Sequence, residues 1–278
     1  MTNTRMNPAA KIGFYFIALS FLCLFGFPFV LTTMMSFKSM QEYMKGDFWG
    51  FPKQIFFGNY QRIFRSRFYV YFINSAMVAG SAVICTTIAA SLASYAFSKL
   101  KFRLSPLIFT VFIVGMMIPV HTTLIPVYQM TRALRLTNTH PGLIGPYIAF
   151  GLPVSIYIIT SFFKEVPASI QESAFIDGAS PFRIYLNIML PISAPAVSTA
   201  AILNFLGFWN EFIMAMTMIN STRKKTLPLG LRDFYSVDAI NIPSILTAVL
   251  VGSLPVILFY MFAQEKVING LSAGAIKG

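Results

Sequence analysis

Long apolar runs with almost no charged residues dominate the chain. Six of them are long enough to cross the ~30 Å hydrocarbon core of a bilayer, which needs roughly 20 residues of helix. The stretch left between the first two is too short for a substantial separate domain. The pattern therefore predicts an all-α polytopic membrane protein, a single domain over residues 1–278 with six transmembrane helices. Their expected positions are Ile12 to Ser36, Tyr69 to Phe97, Pro106 to Met130, Gly142 to Phe163, Ile192 to Ile219 and Pro243 to Ala263.

The composition also indicates a membrane protein. Hydrophobic residues make up 56% of the chain and charged residues 11%, with a mean hydropathy of +0.69, whereas soluble domains are about one quarter charged. A net charge of +12 would suggest nucleic acid as a partner of a soluble protein. Here the charges lie in short loops between apolar runs, where basic residues meet lipid headgroups. We therefore expect a lipid bilayer, and no nucleic acid, as partner.

Two further features narrow the interpretation of the apolar runs. The first run follows Arg5 and Lys11, as in a signal peptide, but it is too long and lacks an A-x-A-like cleavage site before Lys38, so we interpret it as an uncleaved span. Cys23 and Cys85 lie within apolar runs without His or Cys at ligand spacing. They are expected to be buried small hydrophobic residues rather than metal ligands or a disulfide.

The charge distribution does not settle the orientation in the membrane. With a cytoplasmic N-terminus, nine basic residues lie inside and twelve outside, although basic residues normally accumulate inside. The very short loop Lys99–Arg103 favours the cytoplasm. Six of the outer charges fall in 37–68, whose end, Asn59 to Phe68, carries Tyr60, Ile63, Phe64 and Phe68 on one helical face. This end is expected to form an interfacial helix, which explains the basic excess without an orientation signal.

The loop 164–191, between the fourth and fifth runs, has its own helix signals. Pro167 suits a first helical position, Gly178 suits a stop, and Ser180-Pro181 suits the cap and first position of a second helix. The signals predict a short helix of about eleven residues, roughly 16 Å long. By pattern alone, an ordinary helix-turn-helix connection fits equally well.

Several positions in this loop form an ordered pattern: Glu172-Ser173-Ala174, Gly178, Ile188, Leu190 and Pro191. The pattern resembles the E-A-A, G, I-x-L-P signature of binding-protein-dependent ABC transporter permeases, with Ser173 in place of the usual alanine. The chain is also similar to carbohydrate permeases of the maltose type, especially their second, six-span subunit. That similarity lies in Asn74-Ser75, Pro119, Ile125-Pro126, Ile176–Ala179, Trp209-Asn210-Glu211-Phe212, Thr226-Leu227-Pro228 and Gly274–Gly278.

The resemblance implies a function and a set of partners. The E-A-A helix would be a coupling helix docked on a cytoplasmic ATPase, which makes the loop and both termini cytoplasmic in a multi-pass protein of the prokaryotic cytoplasmic (inner) membrane. The implied partners are a homologous permease subunit in a heterodimer, two ATP-binding subunits, an extracellular or periplasmic sugar-binding protein, and a sugar or oligosaccharide. The implied coupling residues are Glu172, Ser173, Ala174, Asp177 and Gly178.

The chain itself is expected to bind no nucleotide. It contains no G-x-x-x-x-G-K-[ST] loop, so energy for uphill transport has to come from another chain or from a gradient. The resemblance implies that ATP and Mg are bound by the partner ATPase, and that this chain is a transport subunit without cofactor rather than an enzyme. It would form half of the translocation path.

The end of the fifth run contains the residues expected near the substrate path. Glu211 is the only formal charge inside a run, and a charge at the bilayer centre costs at least a few kcal/mol. Glu211 therefore fits either a structurally paired, water-facing carboxylate or a direct sugar or gating contact. Asn204 and Asn210 have amides suited to sugar hydroxyls and Trp209 has a ring suited to a sugar face, but all three also fit helix packing.

Other classes of function receive less support from the sequence. An ion-coupled secondary transporter remains the alternative, although it usually needs several intramembrane charged relays. His121 and His140 stand in separate segments without H-E-x-x-H, so no metal site is expected. The basic run Arg223–Lys225 is interpreted as solvated, or as part of an outer loop, Asn220 to Asn241, that meets the binding protein. The sugar is not specified; a neutral oligosaccharide is expected ahead of an anionic one.

Overall fold

The computed structural model describes residues 8–46, 48–235 and 241–275, with side chains described over 11–46, 48–234 and 241–261. Within these ranges the chain forms α-helices and short 3₁₀ and π turns, with no β-strand. The all-α class expected from the apolar runs is confirmed. The α-helices are α1 (Pro8–Ser36), α2 (Met40–Met44), α3 (Gly58–Arg65), α4 (Phe68–Lys99), α5 (Ser105–Met116), α6 (Leu124–Ala133), α7 (Pro141–Glu165), α8 (Ala168–Ile176), α9 (Pro181–Ile184), α10 (Leu190–Ile192), α11 (Ala194–Asn210), α12 (Ile213–Met218), α13 (Leu227–Leu231) and α14 (Ile242–Ala275).

Four of the described helices are long and apolar enough to cross a bilayer on their own. They are α4, α7, the segment Lys11–Ser36 of α1 and the segment Ile242–Met261 of α14. Their mean hydropathies lie between 1.7 and 2.3. These helices coincide with the first, second, fourth and sixth predicted runs, because an uninterrupted apolar sequence has to satisfy its backbone within one helix to cross a membrane.

The third and fifth predicted runs are not single straight helices. Within the third run, α5 and the segment Val120–Ala133 meet at 95°. Within the fifth run, α11 ends at Asn210 and α12 begins at Ile213, and the segment Pro181–Ile192 before it meets α11 at 77°. The first break lies at Pro119, which has no N–H and adopts an extended conformation with ψ 123°. The expected span Pro106 to Met130 is therefore corrected to a bent segment, and Ile192 to Ile219 to two helices interrupted between Asn210 and Ile213. The described residues contain up to six spans if each bent pair crosses as a unit.

The residue contacts divide the chain into two compact units. The first unit contains residues 1–68 and 231–253, and the second contains residues 69–230 and 254–278. The single domain expected from the sequence stays a prediction.

A buried polar cluster around Asn59 holds the first unit together. The Asn59 amide nitrogen donates to the carbonyls of Ser36 and Lys38 at 2.9 and 2.8 Å, and its amide oxygen accepts from the Ser244 hydroxyl at 3.1 Å. Asn59 is only 2% exposed. Its amide satisfies carbonyls that the end of α1 leaves without partners, and burying them unpaired would be costly.

The second unit contains two apolar clusters. One packs residues of α4, α7 and α11 against the 164–191 loop, with Tyr95, Phe163, Val166, Ala174, Ile184 and Tyr185 among its buried members. The other includes Val78, Leu143, Tyr147, Met214, Met218 and Leu229. The first cluster fixes the 164–191 loop against the helices of the second unit.

Both cysteines are exposed, contrary to the expectation that they are buried. The apolar window of α1, which contains Cys23, has none of its residues buried, and Cys85 follows Ile84, which is 61% exposed. An apolar side chain on a membrane span can contact lipid, which is as apolar as a protein core. An apolar run therefore does not establish burial inside the chain.

Candidate functional site

The junction between α7 and α8 is short, and a hydrogen bond from Lys99 fixes it. The α7 helix ends at Glu165, and Pro167 follows as an extended cap residue before α8 begins at Ala168. The Lys99 ammonium group donates to the carbonyl of Val166 at 2.7 Å, one of the carbonyls that the end of α7 leaves open. The short helix thus begins one residue later than predicted and contains nine residues rather than about eleven.

The α8 helix ends in a left-handed turn at Gly178. This residue has a φ of +80°. The N–H of Ala179 donates to the carbonyl of Ala174 at 3.0 Å, and the N–H of Gly178 donates to the carbonyl of Phe175 at 3.0 Å, which together form a Schellman motif. A Cβ on Gly178 would meet no atom within 4 Å. Glycine therefore suits this position for its backbone conformation, not for lack of space.

A second helix begins directly after this turn. The Ser180 hydroxyl accepts from the N–H of Arg183 at 3.3 Å, and Pro181 occupies the first helical position, as the sequence predicts. The helix continues through a π turn, Tyr185–Met189, which directly precedes the segment that contains Pro191. Proline has no N–H to donate, and π turns often occur at functional sites. The I-x-L-P part of the sequence pattern thus marks a change of helix geometry.

The inner face of α8 rests on aromatic residues of the second unit. Ala174 is 7% exposed and Gln171 is 9% exposed, and the Gln171 amide lies 3.5 Å from the Tyr95 hydroxyl. The Tyr95 ring centroid lies 5.5 Å from that of Tyr185, whose hydroxyl is 2.7 Å from the Ser91 hydroxyl. The helix is therefore held on α4 and on the π turn.

The outer face of α8 combines exposed carboxylates with exposed apolar side chains. Glu172 and Asp177 are exposed, and neither carboxylate has a hydrogen-bond or ion-pair partner within the part of the chain that the structure describes. Ile176 is 86% exposed, and Phe182 of the following helix α9 is 62% exposed. The Ser173 hydroxyl bonds to a carbonyl of its own helix at 3.1 Å. Large apolar side chains beside charged groups are typical of a protein contact surface.

The sequence of this region matches a known family. Residues 82–267, about two thirds of the chain, match the family described as "Binding-protein-dependent transport system inner membrane component". The match includes the 164–191 loop, α7 and α11. The chain belongs to this family.

The alignments with related proteins cover almost the whole length of this permease. It is 41% identical to a putative ABC transporter permease protein of Caldicellulosiruptor sp., over 95% of this chain and 96% of the relative. It is 33% identical to the sulfoquinovosyl glycerol transport system permease protein of Agrobacterium fabrum, over 95% of this chain and 93% of the relative. It is 31% identical to the trehalose/maltose transport system permease protein of Thermococcus litoralis, over 94% of each chain.

Solved structures confirm the fold of the permease. A chain in the crystal structure of a bacterial ABC transporter involved in the import of the acidic polysaccharide alginate superposes with a TM-score of 0.84 and 20% identity. The superposition covers 94% of this chain and 98% of that chain. At this identity the likeness concerns the fold, which is that of a multi-pass membrane protein.

Glu211 lies in a break between two helices of the permease. The α11 helix ends one residue before it and α12 begins two residues after it, so the predicted run to Ile219 is interrupted there. The Glu211 carboxylate accepts from the N–H groups of Met214 and Ala215 at 2.6 and 3.0 Å and from the Tyr147 hydroxyl at 2.8 Å. A carboxylate at a helix N-terminus is stabilised by the unpaired N–H groups there. This geometry favours the structurally paired carboxylate over the direct sugar contact.

The other three residues expected at the substrate path have different environments. Asn204 is 7% exposed and donates to the Ser155 hydroxyl at 2.7 Å, which joins α11 to α7. Trp209 is 4% exposed and lies edge-on to Phe72, with ring centroids 5.5 Å apart. Asn210 is exposed, and its amide nitrogen donates to a carbonyl of α11 at 2.9 Å. Asn204 and Trp209 are therefore engaged in helix packing, whereas Asn210 presents a polar side chain at the surface.

Two adjacent polar residues of α4 hold the loop that follows α12, a role that the sequence analysis did not assign. The Asn74 amide donates to the carbonyls of both Arg223 and Lys225 at 2.9 Å. The Ser75 hydroxyl accepts from the N–H of Leu227 at 2.7 Å. The available signal was the pair of polar side chains inside an apolar run, since such groups have to be satisfied within the protein.

Asn138 holds the same loop from the α6–α7 connection. It adopts a left-handed conformation with a φ of +57°, and its amide oxygen accepts from the N–H groups of Asn220 and Ser221 at 3.2 and 2.9 Å. Its carbonyl accepts from the Lys224 ammonium group at 2.8 Å. The basic run Arg223–Lys225 is thus not simply solvated, because one of its charges is used within the protein. Residues 236–240 of the predicted outer loop lie outside the described residues.

The two histidines occupy separate places. His121 is exposed in the 3₁₀ turn Val120–Thr123, and the His140 Nε2 lies 3.2 Å from the carbonyl of Lys224. Among the residues that the structure describes, no three His, Cys, Asp or Glu side chains come together where a metal ion could bind.

Proposed function

We propose that this chain is one of the two membrane subunits of an ATP-driven carbohydrate importer. It would supply half of the translocation path, and a homologous but different permease would supply the other half. The relatives support a sugar substrate, since two of them are named for sulfoquinovosyl glycerol and for trehalose and maltose. These compounds share hydroxyl groups and glycosidic bonds.

The exposed face of α8 is the proposed docking surface for an ATP-binding subunit. The observation that carries this proposal is a short helix buried on one face, with unpaired Glu172 and Asp177 carboxylates and the exposed Ile176 side chain on the other. A carboxylate in such a contact would pair with a basic residue of the partner. Removing one member of a desolvated charge pair costs about 2–5 kcal/mol.

ATP and Mg would be bound by two copies of that partner subunit. The chain has no phosphate-binding G-x-x-x-x-G-K-[ST] loop. In this proposal its own residues bind no nucleotide, and it transmits the movement of the ATPase through α8 to the helices on which α8 rests. Ser173, Ala174 and Gly178 shape the coupling helix, and Glu172 and Asp177 make the contact.

Within the translocation path, Asn210 is the proposed sugar contact of this subunit. Its exposed amide suits hydrogen bonds to hydroxyl groups. Asn204 and Trp209 would keep α11 packed beside the path, and Glu211 would fix the break between α11 and α12. The substrate role of all four residues stays a proposal.

An ion-coupled secondary transporter gains no support from the described residues. Glu211, the carboxylate that an ion-coupled mechanism would use, is engaged in three hydrogen bonds. Such transporters also rely on relays of several charged groups within the membrane.

We further propose that both termini and α8 are cytoplasmic and that the loop after α12 faces the sugar-binding protein outside. Both termini lie outside the described residues. Single cysteines test the topology in a chain in which Cys23 and Cys85, which are exposed, are replaced. An impermeant thiol reagent added outside should modify a cysteine at position 221 and not one at position 169 or 180. The reverse labelling pattern contradicts this topology.

Reconstitution tests the transport function. The chain should support ATP-dependent sugar uptake in liposomes that contain a homologous permease, ATP-binding subunits and a sugar-binding protein, and omission of any one should abolish uptake. Uptake driven by an ion gradient without ATP contradicts the importer. Uptake with this permease as the sole membrane subunit contradicts the heterodimer.

A further inference from the structure

The segment after α2 folds back along the membrane helix α1. The Trp49 ring stacks on the Phe27 ring, with centroids 5.7 Å apart and an angle of 22° between planes. At the other end of the segment, the N–H of Phe56 donates to the carbonyl of Phe37 at 2.8 Å. Residues 48–57 are therefore attached at two levels, to α1 at Phe27, well before its last residue Ser36, and to Phe37 directly after it.

This attachment holds Trp49 beside the apolar part of α1, at the level of Phe27. The α1 segment Lys11–Ser36 has 26 residues and so is about 39 Å long, about 9 Å longer than the ~30 Å core. Phe27 precedes Ser36 by nine residues, about 14 Å along the axis. With the charged Lys11 at the opposite boundary of the core, Phe27 lies below the boundary near Ser36, and Trp49 lies against Phe27. Trp49 is nevertheless 71% exposed within this chain.

A groove extends between this segment, the end of α1 and α2, and its walls change from apolar to charged. The apolar part is lined by Met34, Phe37, Phe51, Ile55 and Phe57. The adjoining polar part shares Ile55 and is lined by Glu42, Lys45, Lys53 and Gln54. Phe51 is 79% exposed and Ile55 is 66% exposed, so the apolar part is open at the surface of the chain.

The surroundings of the groove carry an excess of positive charge. Residues 37–68 contain six basic and two acidic residues. Arg62 and Arg65 are exposed on α3 beside Phe64, which is 62% exposed. Within the groove, the Glu42 carboxylate already accepts from the backbone N–H of Lys53 at 2.7 Å. The charge therefore suits an anionic ligand.

We propose that this groove binds an anionic phospholipid of the surrounding leaflet. One acyl chain would lie against Phe37, Phe51 and Ile55, and the headgroup phosphate would lie beside Lys45 and Lys53. The depth of Trp49 places the apolar wall among acyl chains, and the lysines stand where the apolar wall ends, as a lipid requires. Lysine is depleted at protein–protein interfaces, which argues for a lipid over a second protein subunit as the occupant.

Brominated lipids test this site in the assembled transporter in nanodiscs. The chain has two tryptophans, and Trp209 is only 4% exposed, so the difference in fluorescence between wild type and Trp49→Phe isolates Trp49. We expect acyl-brominated phosphatidylglycerol to quench this signal at a lower mole fraction than acyl-brominated phosphatidylcholine. Replacing Lys45 or Lys53 by Gln should reduce this preference about fivefold for each lysine.

Two controls separate a lipid site from general surface charge and from a protein contact. Lys101→Gln, at an exposed lysine of the α4–α5 connection, should leave the preference unchanged. A photoreactive benzoylphenylalanine at position 51 should form a lipid adduct. Equal quenching by the two lipids, no quenching of Trp49, or an adduct to another subunit at position 51 would overturn the proposal.

Discussion

Two charged loops of the second unit are held in place by different kinds of contact. The 164–191 loop keeps a helix on the surface through apolar packing of Ala174, and its Glu172 and Asp177 carboxylates stay unpaired within the described chain. The loop after α12 is held instead by Asn74 and Asn138, whose amides bond its backbone. In the former loop the Glu172 and Asp177 carboxylates stay available for a partner, whereas polar side chains of α4 and of the α6–α7 connection fix the shape of the latter loop.

This difference fits the two proposed roles, which are coupling to the ATP-binding subunit and contact with the sugar-binding protein. A coupling element has to transmit force while meeting another protein, so a rigid helix with free outward charges suits it. A loop that meets a sugar-binding protein has to keep one shape without the support of a regular helix, and side-chain bonds to its backbone provide that. Substitutions should therefore affect coupling in the first loop and stability in the second.

The largest effect is expected from reversing a free charge on α8. Glu172→Lys should weaken the interaction with the ATP-binding subunit by about 2–5 kcal/mol, because it leaves the partner's basic group unpaired. Ser169→Lys adds a lysine on the same exposed helix without removing a carboxylate and is the matched control. Co-purification and ATP-driven uptake at equal expression measure both variants. Wild-type association of Glu172→Lys would remove the proposed contact.

The next largest effect is expected from the loss of the Asn74 hydrogen bonds to the loop after α12. Asn74→Ala leaves the carbonyls of Arg223 and Lys225 without their partner and should lower the free energy of unfolding by about 2–3 kcal/mol. Asn187→Ala, at an exposed asparagine in the other loop, should change it by less than about 0.5 kcal/mol. Thermal unfolding in detergent compares them. Equal stabilities would show that the loop after α12 does not depend on the hydrogen bonds of Asn74.

A smaller effect is expected at Gly178, where backbone strain can be separated from bulk. Gly178→Val should lower the free energy of unfolding by about 2 kcal/mol, because a β-branched residue disfavours the left-handed conformation. ATP-driven uptake should fall about tenfold. Gly178→Asn should retain most uptake, because asparagine tolerates that conformation. If both variants transport at the wild-type rate, the shape of this turn is not needed for coupling.

Local signals explain why the turn and the second helix of the 164–191 loop could be predicted. Gly178 and Ser180-Pro181 act within a few residues of their own helices, and they were found where the sequence placed them. Asn74 contacts carbonyls 149 and 151 residues away, and no local pattern specifies such a pair. The break at Glu211 was missed because an apolar run shows where a helix can cross a membrane but not where it is interrupted.

The smallest effect is expected at Tyr147. Tyr147→Phe removes one of the three hydrogen bonds to Glu211 and should lower the free energy of unfolding by about 1.5 kcal/mol, with little change in the association of the ATP-binding subunit. Unfolding and co-purification of the same variant measure both quantities. A selective loss of association would contradict the division between coupling and shape.

A photoreactive side chain at position 176 tests the proposed docking of α8. Ile176 is 86% exposed on that helix, and Ile84 on α4 is a control that is 61% exposed. In membranes that contain the complete transporter, irradiation should join position 176 to the ATP-binding subunit and should not join position 84 to it. An adduct of position 176 with lipid or with the sugar-binding protein, and none with the ATP-binding subunit, would contradict the assignment of α8 as the coupling helix.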